Sequence, residues 1–147
     1  MKVVVQRVKE SSVKVDGEVV GKSGYGYMLL VSFTNKDSEK IIDYMVNKIC
    51  NLRIMDDEDG VMNKSILDIN GSVLSISQFT LYADSRKGNR PSYVNALKGD
   101  EAVKLYDMFN EKLSKFVPLE TGVFGADMEV SLVNDGPVTI ILEKEEE

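Results

Sequence analysis

The pattern of apolar and polar positions divides the chain into short strands and two long helices. Residues 3–8, 13–15 and 18–21 read as strands. Asp16-Gly17 between the last two is a two-residue turn of the kind that needs positive φ at both positions. Tyr27-Met28-Leu29-Leu30-Val31-Ser32-Phe33 is a nearly continuous apolar run, which predicts a strand buried on both faces. After a turn at 34–37, Ile41, Met45, Ile49 and Leu52 recur at the spacing of one helical face, with Ile42 widening the stripe. A helix is expected over about 38–51. Asn70-Gly71 turns the chain into the apolar run 72–81, read as a further strand. Gly99-Asp100 caps a second helix, 101–116, whose apolar face is Val103, Tyr106, Phe109 (or Leu105), Leu113 and Phe116, and Pro118 stops it. A glycine-containing loop follows at 120–127. Strands are expected at 128–133 and 138–142, interrupted by Asn134-Asp135-Gly136-Pro137, and the charged tail 143–147 is expected to fray. No repeat or linker interrupts this order, so residues 1–147 read as a single mixed α/β, sheet-rich domain with two principal helices.

Composition narrows the chemistry more than the fold. A chain of 147 residues, 43% hydrophobic and 29% charged, has an ordinary globular balance and room for a real core. No apolar run reaches the length of a membrane span, and the segment after Met1-Lys2 lacks the apolar stretch and cleavage site of a secretory signal. Cys50 is the single cysteine; no internal disulfide can form, and a cytoplasmic location is expected. It lies in the first predicted helix without a basic neighbour in sequence, as a packed thiol rather than a nucleophile. The absence of histidine removes Ser-His-Asp and Cys-His machinery and any histidine metal site, and one cysteine leaves no structural zinc. Asp56-Asp57-Glu58-Asp59-Gly60 resembles a calcium loop in composition only, because Met55 and Ile66 occupy its two end positions. Gly24-Tyr25-Gly26 lacks the lysine-serine ending of a phosphate loop and precedes a strand. A net charge of −6 argues against a general nucleic-acid binder, although a local basic patch can still hold one specific nucleic acid.

Three polar stretches stand out. Ser77-Gln78-Phe79-Thr80-Leu81 puts a hydroxyl, an amide and a second hydroxyl at the end of a buried strand, where they either cap the strand or face a substrate. Strict alternation sets Gln78 and Thr80 on one face and Ser77 and Phe79 on the other. A pocket using both Ser77 and Thr80 therefore requires the strand to bend or end within the motif. Asn134-Asp135-Gly136-Pro137-Val138-Thr139 reads either as a plain turn or, because a Gly-Pro bond adopts cis at small cost, as a segment held for function. Arg86, Lys87 and Arg90 crowd three cations into five residues of the loop 83–93, for a phosphate contact or as a solvated loop.

The first two stretches together resemble the paired signature of the D-aminoacyl-tRNA deacylases. The opening Met1-Lys2-Val3-Val4-Val5-Gln6-Arg7-Val8 and the blocks Lys87-Gly88-Asn89-Arg90-Pro91-Ser92-Tyr93 and Thr121-Gly122-Val123-Phe124-Gly125-Ala126 are similar to the same family. The resemblance covers essentially the whole chain; Tyr93 departs from it, standing where the pattern has phenylalanine. It implies a barrel-like sheet, a homodimer, no metal or other cofactor, and hydrolysis of the ester that joins a D-amino acid, or glycine, to the 3′-terminal adenosine of tRNA. It implies that Ser77, Gln78, Phe79 and Thr80 line the catalytic pocket. Gly136 and Pro137 of one subunit would enter the pocket of the other and guard the chiral centre, with Arg7 holding that segment. Arg86, Lys87 and Arg90 are the expected tRNA contacts.

The missing histidine is compatible with that activity. Backbone N–H groups around Phe79 and Thr80 can stabilise an oxyanion, and the substrate's 2′-hydroxyl can orient the water. The rival is Thr80 as a covalent nucleophile, for which the sequence places no base nearby. Two other identities stay open: a β-rich binding module in which both motifs are only turns, and an animal-type relative that holds its Gly-Pro bond in trans and tolerates an L-amino acid.

Overall fold

Strand β1 (Lys2–Val15) is the spine of a six-stranded sheet in the computed structural model, which describes residues 1–146. Its first half pairs antiparallel with β3 (Gly26–Ser32) and its second half with β2 (Glu18–Ser23), while β8 (Glu129–Glu143) runs along its other edge. The segments expected as separate strands at 3–8 and 13–15 are therefore one, because β8 gives backbone partners to the polar stretch between them. Asp16 and Gly17 both hold positive φ, 50° and 82°, as their turn requires.

β6 (Ser72–Ser77) lies parallel to β3, and the short β7 (Leu119–Thr121), absent from the sequence expectation, lies parallel to β6. Each parallel step needs a crossover. The helix α1 (Glu39–Asn51) supplies the first and α2 (Gly99–Ser114) the second. At the far side β2 returns toward β7: the Lys22 N–H donates to the Glu120 carboxylate at 3.2 Å. A Cβ on Gly21 would meet the Thr121 carbonyl oxygen at 2.5 Å, so glycine is what lets the two strands approach and the sheet come nearly closed.

Both helices cover one face of this sheet. α1 buries Ile41, Ile42, Met45, Val46, Ile49 and Cys50, and α2 buries Ala102, Tyr106, Phe109 and Leu113. They join Val3, Val5, Tyr27, Leu29, Val31 and Val73 in the main core. Each fully buried large apolar side chain there contributes about 1.5–3 kcal/mol. The alternate positions Val8, Met28, Leu74 and Ile76 face inside the curved sheet and meet Leu30, Met128, Val130 and Leu132 in a second cluster. β3 is thus enclosed on both sides, as its unbroken apolar run predicts.

Several boundaries differ from the pattern. β6 stops at Ser77, and the chain enters a 3-10 turn at Phe79–Tyr82 instead of running extended to 81. Residue 98, not Gly99, is the N-cap of α2, and no side chain there caps the helix. Phe116 lies beyond the end of α2 and is 59% exposed; Val117 takes the buried place. The tail does not fray at its start: the Met1 ammonium donates to the Lys144 carbonyl at 2.9 Å and the Lys144 N–H to Met1 at 3.0 Å. Glu147, the end of that tail, lies outside the described residues. The acidic stretch at 56–60 is a turn between β4 (Met55–Asp56) and β5 (Met62–Lys64), in which Asp57 accepts N–H bonds from Asp59 and Val61 at 2.9 and 3.0 Å. Among the described residues no group of three or more potential metal-ligating side chains gathers, and no helix is long and apolar enough to cross a membrane.

Candidate active site

The inner cluster opens to solvent where β6 ends. The Gln78 N–H still donates to the Val31 carbonyl at 2.8 Å, continuing the ladder with β3. Beyond it the backbone winds up: Leu81 N–H bonds to the Gln78 carbonyl at 3.2 Å and Ala83 N–H to the Thr80 carbonyl at 3.0 Å. Phe79 and Thr80 are the first residues of this turn, the positions whose donors have no partner inside a helix. Among the described residues neither N–H donates to another protein group. The Ser32 hydroxyl donates to the Phe79 carbonyl at 3.3 Å and ties the turn to β3.

A cleft of about 340 Å³ lies here, lined by Ser32, Ser77, Gln78 and Phe79, by Phe124 and Met128, and by Ile76 and Val130 of the inner cluster. The motif therefore ends a strand and also faces a cleft, because the strand stops inside it. Ser77, Gln78 and Phe79 line the cleft; Thr80 does not. The Thr80 hydroxyl instead accepts a hydrogen bond from the Gln78 side-chain amide at 2.5 Å, and no described carboxylate or amine contacts it.

Phe124 and Met128 are not among the expected site residues: Phe124 lies in a glycine-containing loop, and the alternation that begins at Met128 marks a buried strand face, not a cleft. The placement of Phe124 has a physical cause in α2. The buried Tyr106 ring meets Phe124 at a centroid distance of 5.7 Å, and its hydroxyl donates to the Ser75 carbonyl of β6 at 2.8 Å. Burial pushes the Tyr106 phenol above its ordinary pKa, so it stays a neutral donor. One side chain thus ties both walls of the cleft to the same helix.

The second motif lies apart from this cleft. Along β1 and β8 the pairing passes from Gln6 opposite Thr139 to Val8 opposite Asn134, so residues 135–138 stand out opposite Arg7 alone. Arg7 is 4% exposed, and a buried guanidinium must be compensated. Its Nε donates to the Asp135 carbonyl at 3.1 Å and pairs with the Asp135 carboxylate at 3.2 Å. Its Nη1 donates to the Ile54 carbonyl at 2.8 Å and to the Asp56 carboxylate at 3.1 Å. Gly136 holds φ at +118°, and the Gly136-Pro137 peptide is cis. Neither residue lines the cleft of its own chain. The structure therefore joins Arg7 to Asp135, at the start of the Gly136-Pro137 segment, and sets Ser77, Gln78 and Phe79 along one cleft, without bringing the two groups together in one chain.

The expected cations divide as well. Arg86 is engaged within its own loop, its Nε and Nη2 donating to the two oxygens of Asp84 at 2.9 and 2.7 Å. Those hydrogen bonds pull the Asp84 carboxyl down to about 2. Lys87 and Arg90 are exposed. Lys98, which the charge pattern did not single out, stands closer to the cleft: its ammonium lies 5.1 Å from the ring centroid of Phe79 and 5.5 Å from that of Tyr93.

The chain is similar to known proteins along nearly its whole length. A family model described as D-Tyr-tRNA(Tyr) deacylase matches residues 4–143. A solved structure described as "c-Myc DNA Unwinding Element Binding Protein" is similar at 41% identity and a TM-score of 0.94, covering 99% of this chain and 100% of that one. A second, from a structural analysis of a probable eukaryotic D-amino acid tRNA deacylase, shares the fold at 17% identity and a TM-score of 0.82, over 96% of this chain and 97% of that one. With strand order, terminal motifs and cleft falling inside a match that spans nearly its whole length, the chain belongs to the D-Tyr-tRNA(Tyr) deacylase family.

Proposed function

We propose that the protein hydrolyses the ester of D-aminoacyl-tRNA, and of glycyl-tRNA, to free amino acid and tRNA, and that it spares L-aminoacyl esters. The observation that carries this reading is the pair of unpartnered N–H groups at Phe79 and Thr80, beside a cleft whose other wall is Phe124 and Met128. Water adds to the ester carbonyl carbon, and the developing oxyanion receives the two backbone donors. The C–O bond to the ribose 3′-oxygen then breaks, and that oxygen takes up the proton. Removing one donor of this kind costs about two to three orders of magnitude in rate. The adjacent 2′-hydroxyl of the substrate orients the water, so the reaction proceeds without a side-chain base or a metal. The terminal adenine is suited to the Phe124 wall, since base–aromatic stacking contributes about 1–3 kcal/mol.

Selectivity on this reading comes from a second copy of the chain. Among the described residues β8 pairs with β1 alone, and it exposes Val133 at 45% and Ile141 at 67%. A long edge with apolar side chains is a surface that proteins normally cover. A partner subunit there would present Gly136 and Pro137 to the neighbouring cleft, with Arg7 holding Asp135 immediately before them. Carbonyls beside the substrate Cα leave space for hydrogen and exclude a side chain, so the L-form is rejected by sterics and the D-side chain is not itself recognised. Contact limited to the acceptor end accommodates the net charge of −6, and the cytoplasm is the compartment this substrate implies. Incubation with D-tyrosyl-tRNA should release free D-tyrosine catalytically, and light scattering should give the mass of two chains. Intact D-tyrosyl-tRNA would favour a non-enzymatic binding module.

A further inference from the structure

We propose that the cluster of Phe79, Tyr93 and Lys98 beside the cleft is a subsite for the nucleotide preceding the terminal adenosine of the acceptor end. The base lies against the two rings and the connecting phosphate meets the Lys98 ammonium. This deepens the function proposed above and rests on the cleft taking the terminal adenosine.

Phe79 belongs to both places: it lines the cleft, yet 44% of it remains exposed. The Tyr93 ring meets it edge-on, with centroids 5.2 Å apart and planes at 71°. A half-exposed Phe79 ring backed by a half-buried Tyr93 ring, at the rim of a cleft lined mostly by apolar residues, offers a surface of the kind on which a base of a single strand stacks, whatever its identity. The Lys98 ammonium rests over both rings on a flexible stem. At an exposed site that contact is weak, so the ammonium can lift toward a phosphate while a base takes its place.

Beyond this weak contact with the rings, neither capping nor an ion pair accounts for a cation at position 98. It is the N-cap of α2, where a cation opposes the helix dipole, and no ion pair holds it among the described residues. The acids that complement the dipole, Asp100 and Glu101, follow in the first turn. The segment carrying the cluster is nonetheless fixed against the end of β3. The Leu97 N–H donates to the Phe33 carbonyl at 2.9 Å, and the Thr34 hydroxyl to the Asn95 carbonyl at 2.6 Å. Leu97 lines the cleft, which sets Lys98 one residue beyond its edge. In a chain of net charge −6, a mobile cation on a fixed segment beside two rings suits a phosphate next to a base, and the acceptor strand supplies that pair.

The test compares binding of the trinucleotide CCA with binding of adenosine alone, by titration over a series of salt concentrations. The wild-type protein should bind the trinucleotide roughly tenfold more tightly than adenosine. Lys98→Met keeps the stem over the rings but removes the charge; it should abolish most of that advantage and flatten the salt dependence by about 0.7 in log–log slope. Tyr93→Leu should lower trinucleotide affinity with the slope retained. Lys115→Met, at the other end of α2, is the charge-matched control. An unchanged trinucleotide affinity and slope in Lys98→Met, or an equal loss in Lys115→Met, overturns the subsite. A wild-type protein that binds CCA in this manner but leaves D-tyrosyl-tRNA intact loses the proposed activity and keeps the subsite.

Discussion

The two polar motifs occupy opposite mechanical extremes of the same sheet. At residues 135–138 the segment is anchored at its start: a buried Arg7 makes two contacts to Asp135 and two to the Ile54–Asp56 segment. At residues 77–80 the backbone is left open, with two donors unpartnered and a half-exposed phenylalanine beside them. On the proposed function, this difference is how a site without histidine divides its work. A wall that rejects one enantiomer has to be held in place, which the Arg7 contacts would do. A group that stabilises developing charge has to be free of protein partners until substrate arrives, which the open N–H groups would be.

Breaking the clamp should produce the largest effect. Arg7→Met leaves Asp135 and the Ile54 carbonyl without their buried donor, and should lower stability by about 2–4 kcal/mol in urea unfolding. It should also raise hydrolysis of L-tyrosyl-tRNA relative to the D-ester. Gly136→Ala tests the same wall more gently. Its Cβ would meet the Val138 nitrogen at 3.1 Å and Arg7 Nη2 at 3.2 Å, at a φ of +118° that a side chain rarely tolerates. A loss of about 1–3 kcal/mol is expected, with Arg7 displaced from Asp135.

Changes on the open side should be smaller where they touch only side chains. Thr80→Val removes the hydroxyl that Gln78 donates to while keeping the backbone N–H; kcat should stay within about tenfold of wild type, whereas loss of a nucleophile would remove turnover almost entirely. A trapped acyl adduct on Thr80 would reverse this ranking. The smallest effect belongs to the loop clasp of Asp84 and Arg86. The Asp84 pKa in the folded protein lies below its unfolded value, so the clasp is present above the ordinary carboxylate range and is lost as pH falls toward about 2. NMR titration of the Asp84 carboxyl should shift upward toward the ordinary range in Arg86→Ala without fully reaching it, because the residue 86 N–H still donates to Asp84 at 3.0 Å, and global stability should change little.

Much of this architecture was legible from period and punctuation alone. The double burial of β3, the α1 stripe and the Asp16-Gly17 turn follow from local pattern, and the structure keeps them. What local pattern could not express was partnership. β1 is continuous through its polar middle because β8 lies beside it, and β7 is a strand only because β6 offers an edge. The apolar pattern carried β6 on to residue 81, and alternation asked for an end inside the motif only if one pocket used both Ser77 and Thr80; the strand does end at Ser77, a 3-10 turn follows, and Thr80 stays out of the cleft. The site divided along the same line. Its motifs stood out as clusters of unusual polar residues, whereas Phe124, Met128 and Lys98 are ordinary residues that acquire a role only by meeting in space. Arg86, prominent in the charge pattern, is held by Asp84.

The central claim is that open backbone donors of one chain work beside a chirality wall supplied by another. Its most direct test is the initial rate of ester hydrolysis on D-tyrosyl-, L-tyrosyl- and glycyl-tRNA, measured side by side with the wild-type protein. The account predicts turnover of the D- and glycyl esters, with the L-ester left at its spontaneous rate. Comparable hydrolysis of the L- and D-esters, or release of one D-amino acid while glycine and other D-esters are refused, would contradict it.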